Sequence, residues 1–305
     1  MAWQRWKPRS VRTMKQRIIE DIGEILKSMA DLREANTDSI EDRVHGFRKS
    51  GKRVRGLIDL AYPKGPKPIR EFRRTIAEIA RTLSHVRDLH VATRSARELH
   101  ALIGGVMLAD QPLFARIGVF LEAETASLER DDAAIRSLFD EACNRVARAS
   151  KDWMPLASDH ELGDLQEGLI SSYRKGRQAV KKVLNESSHP ERFHDLRKAT
   201  KRLGYQVDWM LGQDDSDLNS QALNSLGEWS KRVGDALGAG LDLRRLGEQL
   251  QDWGSQQPSG KESTSFASRV MSDGMSRLVE SVPIACRLYY ETAKTLRGQI
   301  ASPRS

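Results

Sequence analysis

A chain of 305 residues, 39% hydrophobic and 30% charged, has the composition of a soluble globular protein and enough apolar material for one large core or two small ones. Its 50 Lys and Arg against 42 Asp and Glu leave a formal charge of +8, which points to an anionic partner such as nucleic acid, a phosphate polymer or an acidic membrane surface. Two cysteines, Cys143 and Cys286, exclude a disulfide framework and a cysteine metal site; they fit a reducing cytoplasm and read as small buried hydrophobes.

Residues 1–10, MAWQRWKPRS, form a basic arm without the apolar core of a signal peptide, so the protein is expected to stay where it is made. From residue 11 to about 302 helical periodicity dominates and no alternating strand is visible, which predicts an all-α fold. Val11–Leu32 places Met14, Ile18, Ile22, Ile25 and Met29 on one face. Ser39 followed by Asp42 resembles a capping box at the head of the next helix, which carries His45 to Leu60. YPKGPKP, residues 62–68, ends it, because that density of proline cannot stay helical. A helix from Ile69 to about Ile103 follows, with Phe72, Ile76, Ile79, Leu83 and Val86 as its seam and Arg74, Arg81, His85 and Asp88 on another face. Leu113–Leu128 and Ala133–Arg148 read as an antiparallel pair.

KDWMPLASDH, residues 151–160, is rich in breakers and polar residues and reads as the boundary between two halves. The order then repeats: an amphipathic helix Leu162–Leu184, the turn NESSHP, a second basic helix headed by Pro190, the acidic turn QDDSD, and a long helix from about Leu218 to Trp253. The loop GSQQPSGKES separates these from a last helical region, Phe266–Ile300, interrupted near Pro283. No stretch approaches the roughly 20 apolar residues of a membrane span; the best, Leu102–Ala109, is far too short. The expected architecture is one domain of two pseudo-symmetric antiparallel bundles, about 11–150 and 160–302, of four to five helices each.

The most informative feature is internal. HGFRKSGKRVRGLIDL, His45–Leu60, returns 149 residues later as HDLRKATKRLGYQVDW, His194–Trp209. Without gaps, His45, Arg48, Lys49, Lys52, Arg53 and Asp59 match His194, Arg197, Lys198, Lys201, Arg202 and Asp208. At about 100° per residue, His45, Arg48, Lys49 and Lys52 fall within one arc. Val44, Phe47, Val54, Ile58 and Ala61 lie roughly opposite, as do Phe193, Leu196, Leu203, Val207 and Met210 in the second copy. Each copy is thus a helix with one side for a core and one for an anion. A merely solvated face would mix Glu with Lys for i,i+4 pairing. From His45 to Arg55 there is no acid, and such self-repulsion makes sense where a polyanion neutralises it. Arg70, Arg73, Arg74, Arg81 and Arg87 add charge after the first basic helix, and Arg174, Arg177 and Lys181 before the second. If the symmetry brings the two faces together, these cations line one groove or channel.

The pattern H-x-x-R-x-x-x-[KR]-R-x-R on a helix, occurring twice, resembles the CHAD family, the conserved-histidine α-helical domains. LSHVRDLHV, residues 83–91, is similar to the family's R-D-L segment, and LGAGLDLRRL, residues 237–246, to its matching L-G-x-x-x-D-L segment; the likeness covers roughly residues 11–300. It implies two helical bundles whose basic helices line a central cavity that binds inorganic polyphosphate, with polyphosphate granules as a location. Residue by residue, His45, Arg48, Lys52, Arg53 and Arg55 correspond to the first motif and His194, Arg197, Lys201 and Arg202 to the second, Lys49 and Lys198 being added by the local repeat. Gly204 stands where the family usually has arginine, so one cation is missing there and Arg202 or Arg177 is left to compensate. Some relatives carry an N-terminal triphosphate-tunnel domain; without its E-x-E-x-K motif, no triphosphatase activity is expected of this chain.

The residues themselves suit such a ligand. Polyphosphate has charge along its whole length and no base to read, so its receptor should be a comb of Arg and Lys on rigid helices, Arg forking onto oxygens and Lys acting as a point charge. Sulfate or phosphate ions would mimic it. Neither metal-ligand spacing nor an acid–base pair is evident, Asp88 and Asp242 read as partners for cations, and binding without catalysis, metal or cofactor is expected. His45 and His194 either donate to phosphate as imidazolium or orient a backbone group or carboxylate. The alternative partner is RNA or DNA on the same faces; it would normally need aromatic platforms among the cations, where only Tyr205 lies near.

Overall fold

The computed structural model describes residues 13–34, 39–84, 86, 119, 132–213, 219–255 and 260–301; among them the chain consists of helices joined by short turns, with no strand. Helix α1 (Met14–Asp31) starts at Thr13, whose hydroxyl accepts from the Gln16 amide while the Gln16 side chain accepts from the Thr13 amide, a reciprocal cap. It buries Ile18, Ile22, Leu26 and Met29. Leu26 occupies the inward position that the periodicity assigns to Ile25, which packs at the edge of the core instead. Helix α2 (Ile40–Ala61) is capped by Ser39, which accepts from the Asp42 amide at 3.1 Å and donates to its carboxylate at 2.7 Å. Helix α3 (Lys67–Thr82) carries Pro68 in its first turn, where a missing N–H costs nothing. The expected continuation towards Ile103, with His85 and Asp88, and the helix at Leu113–Leu128 lie outside the described residues, apart from Ser84, Val86 and Val119.

Helix α4 (Asp132–Ser158) runs ten residues beyond the end expected at Arg148 and takes in most of the segment expected as a boundary. Pro155 inside a helix costs about 3 kcal/mol. The packing of Trp153 offsets this: its ring is fully buried, edge-on to Tyr62 at 6.4 Å, and its indole N–H donates to the Ile19 carbonyl at 2.9 Å. The second half comprises α5 (Leu165–Asn185), α6 (Pro190–Leu211), α7 (Ser220–Ser255), α8 (Gly260–Glu280), α9 (Val282–Leu288) and α10 (Ala293–Ala301). Pro190 opens α6, and Pro283 falls in the first turn of α9 beside the expected interruption. None of the described helices is long and apolar enough to cross a membrane.

In the first half α1 packs on α2 and α4, and α3 on the same two; in the second α6 lies between α5 and α7, and α7 pairs with α8. Gly240 and Gly274 permit that last pairing, since a Cβ on Gly240 would sit 2.9 Å from the Gly274 carbonyl. The apolar faces of α2 and α6 are buried as expected: Val44, Phe47, Val54 and Ile58 on one, Phe193, Leu196, Leu203 and Val207 on the other. One continuous apolar cluster runs from α1 to α10, and a smaller one of Leu246, Leu250, Ala267 and Val270 joins α7 to α8.

Helix α2 joins the halves. It meets α6 at Gly56, whose Cβ, if present, would lie 3.5 Å from that of Tyr205, and the Gln206 amide donates to the Gly56 carbonyl at 2.8 Å. Gly56 and Tyr205 are equivalent positions of the 149-residue repeat, so the two basic helices touch at matching points. The end of α2 presses on α5: the Ala61 carbonyl accepts from Gly163 at 2.9 Å, and a Cβ on Gly168 would fall 2.1 Å from the Leu60 carbonyl. Trp209, the repeat equivalent of Leu60, donates its indole N–H to Asp21 of α1 at 2.6 Å.

Gly168→Ala therefore forces a methyl group into backbone and should lower the unfolding free energy by about 3 kcal/mol in urea titration. Gly46→Ala, facing open space on α2, should be neutral or stabilising by up to about 1 kcal/mol.

Candidate anion site on the two basic helices

The cations of α2 and α6 divide between two tasks. Arg48 and Arg197, equivalent in the repeat, turn towards neighbouring helices. Arg48 donates to the Ala80 carbonyl at 2.6 Å and the Ser84 hydroxyl at 2.8 Å, satisfying the end of α3, where helical carbonyls lack partners. Arg197 lies across α7 at Gly238: a Cβ there would be 3.0 Å from its guanidinium. Lys201 lies across Gly234 in the same way and pairs with Asp235 at 2.9 Å. The glycines let long cationic side chains lie against a helix rather than stand in solvent. Lys49, Lys52, Arg53 and Lys198 are exposed on their helices, Lys198 with Asp195 at 3.5 Å.

At the crossing, cations from both copies converge. Asp59 of α2 receives Arg73 of α3, with Nε at 2.7 Å and a terminal nitrogen at 2.9 Å, and Arg202 of α6 at 3.1 Å. Arg55, one turn before Asp59, joins them, and its buried Nε has no hydrogen-bond acceptor among the described residues. Burial, then Arg73 and Arg202, pull the Arg55 guanidinium down from 12.5 to about 10, with Asp59 opposing and Arg81 adding to the effect. Burial lowers Arg202 as well, although Asp59 draws it back. Two guanidiniums thus pair with one carboxylate, and a third, Arg55, lies near enough to feel all three charges. Tyr205, beside them, feels Arg197 of its own helix and Arg53 of α2; burial nevertheless raises its phenol above the ordinary 10.

The histidines are on the exposed side of their helices. Partial burial, followed by the charge of Lys198, lowers His194 below the ordinary 6.5, so it is neutral at pH 7 in the free protein. Of the flanking cations, Arg81 reaches the neighbourhood of Arg55, and Arg177 that of Tyr173, whose ring meets Tyr289 at 5.3 Å. Arg74 and Lys181 are exposed, and Arg174 is engaged by Glu167 at 2.7 Å; none of the described contacts joins these three to the arginine cluster. Of the cations that follow the first basic helix in sequence, Arg73 is the one set against Asp59. It and Arg74 are adjacent in sequence, and only the position of Asp59 selects between them; the match of Asp59 to Asp208 is the sequence signal that marks that carboxylate.

A pair of cation-rich helices, repeated and packed against each other in a chain whose described residues form no strand, defines a class of helical domain. The CHAD domain family model matches residues 18–251, and the chain belongs to that family. Its structure is similar to the crystal structure of the CHAD domain from the plant Ricinus communis, with a TM-score of 0.56 over 90% of this chain and 91% of that one at 18% identity, a likeness of fold alone. No curated protein matches the sequence. Gly238, the glycine of the L-G-x-x-x-D-L segment, is the seat of Arg197, which gives that motif a steric reason.

Because the folded state depresses Arg55, its charge costs free energy at neutral pH, and the cost is relieved only as pH rises above about 10. Arg55→Met, which keeps the stem and removes the charge, should raise stability at pH 7 by roughly 1 kcal/mol in thermal or urea unfolding.

Proposed function

We propose that the protein binds inorganic polyphosphate, without catalysis, on the surface where α2 and α6 meet, and that this binding would hold it on polyphosphate granules. The observation that carries the reading is the arginine excess at Asp59: a partly buried group in which Arg73 and Arg202 pair with one carboxylate, and Arg55 lies beside them without one, is destabilised in the free protein and relieved by an added anion. Arg48, Arg197 and Lys201 are held along neighbouring helices, so little side-chain entropy remains to be lost on binding. Charge-assisted hydrogen bonds of about 1.5–3 kcal/mol each suffice for tight binding when several act on one chain of phosphates.

A nucleic acid would want exposed rings on which to stack bases. Tyr205 is largely withdrawn among the helices, and Trp229 is already occupied by Arg232 at 4.5 Å and Arg287 at 4.6 Å. Both facts favour a ligand without bases.

The test is binding of a long polyphosphate at two salt concentrations with single-stranded RNA and duplex DNA as competitors. Arg53→Glu with Lys198→Glu reverses one exposed charge on each basic helix; it should fold normally and weaken polyphosphate binding by about 2 kcal/mol, some 30-fold. Equal competition by RNA, or unchanged binding by the double variant, would overturn the reading. The pH profile offers a second check. An anion raises the pKa of an adjacent imidazole, so affinity should climb as pH falls from the raised pKa of the complex towards the depressed pKa of His194 in the free protein. His194→Gln should flatten the climb; a profile already flat in the parent protein would remove histidine from the site.

A further inference from the structure

Gly204 is the repeat equivalent of Arg55. In the first half the arginine fills its place among the helices. In the second half the glycine leaves a cavity of about 400 Å³ between α6 and α7, reached also by Lys49 of α2, and at the lower end of the range that small-ligand sites occupy. Its walls are chemically unlike the arginine cluster. The cations are Lys49, Lys201 and Lys231, and two carboxylates, Asp208 and Glu228, share the cavity with them. Ser230, only 1% exposed, lies across from Gly204, and its hydroxyl has no hydrogen-bond partner among the described residues.

An unpaired buried hydroxyl costs free energy unless something enters to satisfy it. What enters must suit three lysines, of which Lys201 is already paired with Asp235, together with a hydroxyl and two carboxylates. An interior phosphate of a polyphosphate has no proton to give, so carboxylates would repel it. A terminal phosphate differs: a phosphate monoester-like end has a second pKa near 6 and holds its last proton for part of the time at neutral pH. That P–OH donates to a carboxylate while the remaining oxygens accept from lysine and serine. Lysine, a mobile point charge, also tolerates the freely rotating end of a chain better than arginine's fixed fork.

We propose that the cavity beside Gly204 is a subsite for the terminal phosphates of polyphosphate, with Ser230, Lys49, Lys201 and Lys231 receiving the oxygens and Asp208 or Glu228 accepting the terminal proton. The proposal rests on the polyphosphate reading and adds to it that the protein recognises chain ends. Lys49 and Lys201 belong to both the cavity and the basic faces, so a chain anchored by its end in the cavity continues onto the arginines.

The experiment compares a linear polyphosphate with free ends and the same chain with both ends blocked as phosphoramidates, which keep one charge on the end phosphorus and remove its titrating P–OH, each titrated into the full-length protein and two variants. Gly204→Leu fills the cavity without changing charge; a Cβ at Gly204 meets Ser230 at 3.7 Å, an ordinary contact, so the helix is expected to fold, as thermal unfolding will verify. Ser230→Ala removes the hydroxyl with no added bulk and decides the matter should the leucine variant fold poorly. The parent should bind the free-ended chain at least fivefold more tightly than the blocked one. Gly204→Leu should bring that ratio to one, with affinity for the blocked chain kept within twofold, and Ser230→Ala should at least halve it. Equal binding of the two chains by the parent, or a ratio untouched in both variants, overturns the end subsite while the polyphosphate reading stands. Failure of the parent to bind either chain overturns both.

Discussion

The structure depends on the contact of two like-charged helices. Helices α2 and α6 each carry a nearly acid-free row of cations, and Coulomb repulsion alone would keep them apart. They are held by what lies on their other sides and between them. Phe47, Val54, Phe193 and Leu203 are fully buried in a core that spans both halves, Gly56 and Gln206 bring the backbones into hydrogen-bonded contact, and Asp59 places one negative charge where two guanidiniums from different halves converge. Burial of apolar surface, at about 25 cal/mol per Å², is what makes the crossing possible; the carboxylate makes it tolerable. Arg55, without such a partner for its Nε, bears the remaining strain.

The helices that flank this crossing act as supports for side chains. Gly234 and Gly238 let Lys201 and Arg197 lie along α7, while Arg48 ties α2 to the end of α3 through the Ala80 carbonyl. Each tether fixes a long side chain before any ligand arrives, and the free energy of ordering it is met by folding rather than by binding. The same close approach of helices recurs away from the charges, where Gly168 admits α2, Gly176 admits the ring of Tyr289, and Gly240 and Gly274 bring α7 and α8 together. Glycine here serves contact rather than unusual backbone angles, since none of the described residues has a positive φ.

The two halves repeat in sequence without being interchangeable. Arg55 and Gly204 occupy matching places, one filling its site with charge and the other leaving space. Asp59 is taken up by arginines, whereas its counterpart Asp208 faces the cavity. The two halves thus offer two different environments, an arginine-rich one and one that mixes lysines with carboxylates.

Much of this was written in the order of residues. The 3.6-residue period separates the buried face of α2 from its basic face, Ser39 and Pro190 mark where the basic helices begin, and the 149-residue repeat identifies His45–Leu60 and His194–Trp209 as one device used twice. These are local properties, fixed by neighbours within a turn or two of the chain. The fate of individual side chains was decided elsewhere. Whether Arg73 or Arg74 reaches Asp59, whether Arg48 faces solvent or closes α3, and whether α4 survives Pro155 depend on how helices distant in sequence cross and which groups they deliver to each other. Periodicity says which side of a helix turns to the core. Only the packing of the helices says which charge meets which, because that follows from angles and registers between segments that no single stretch of sequence contains.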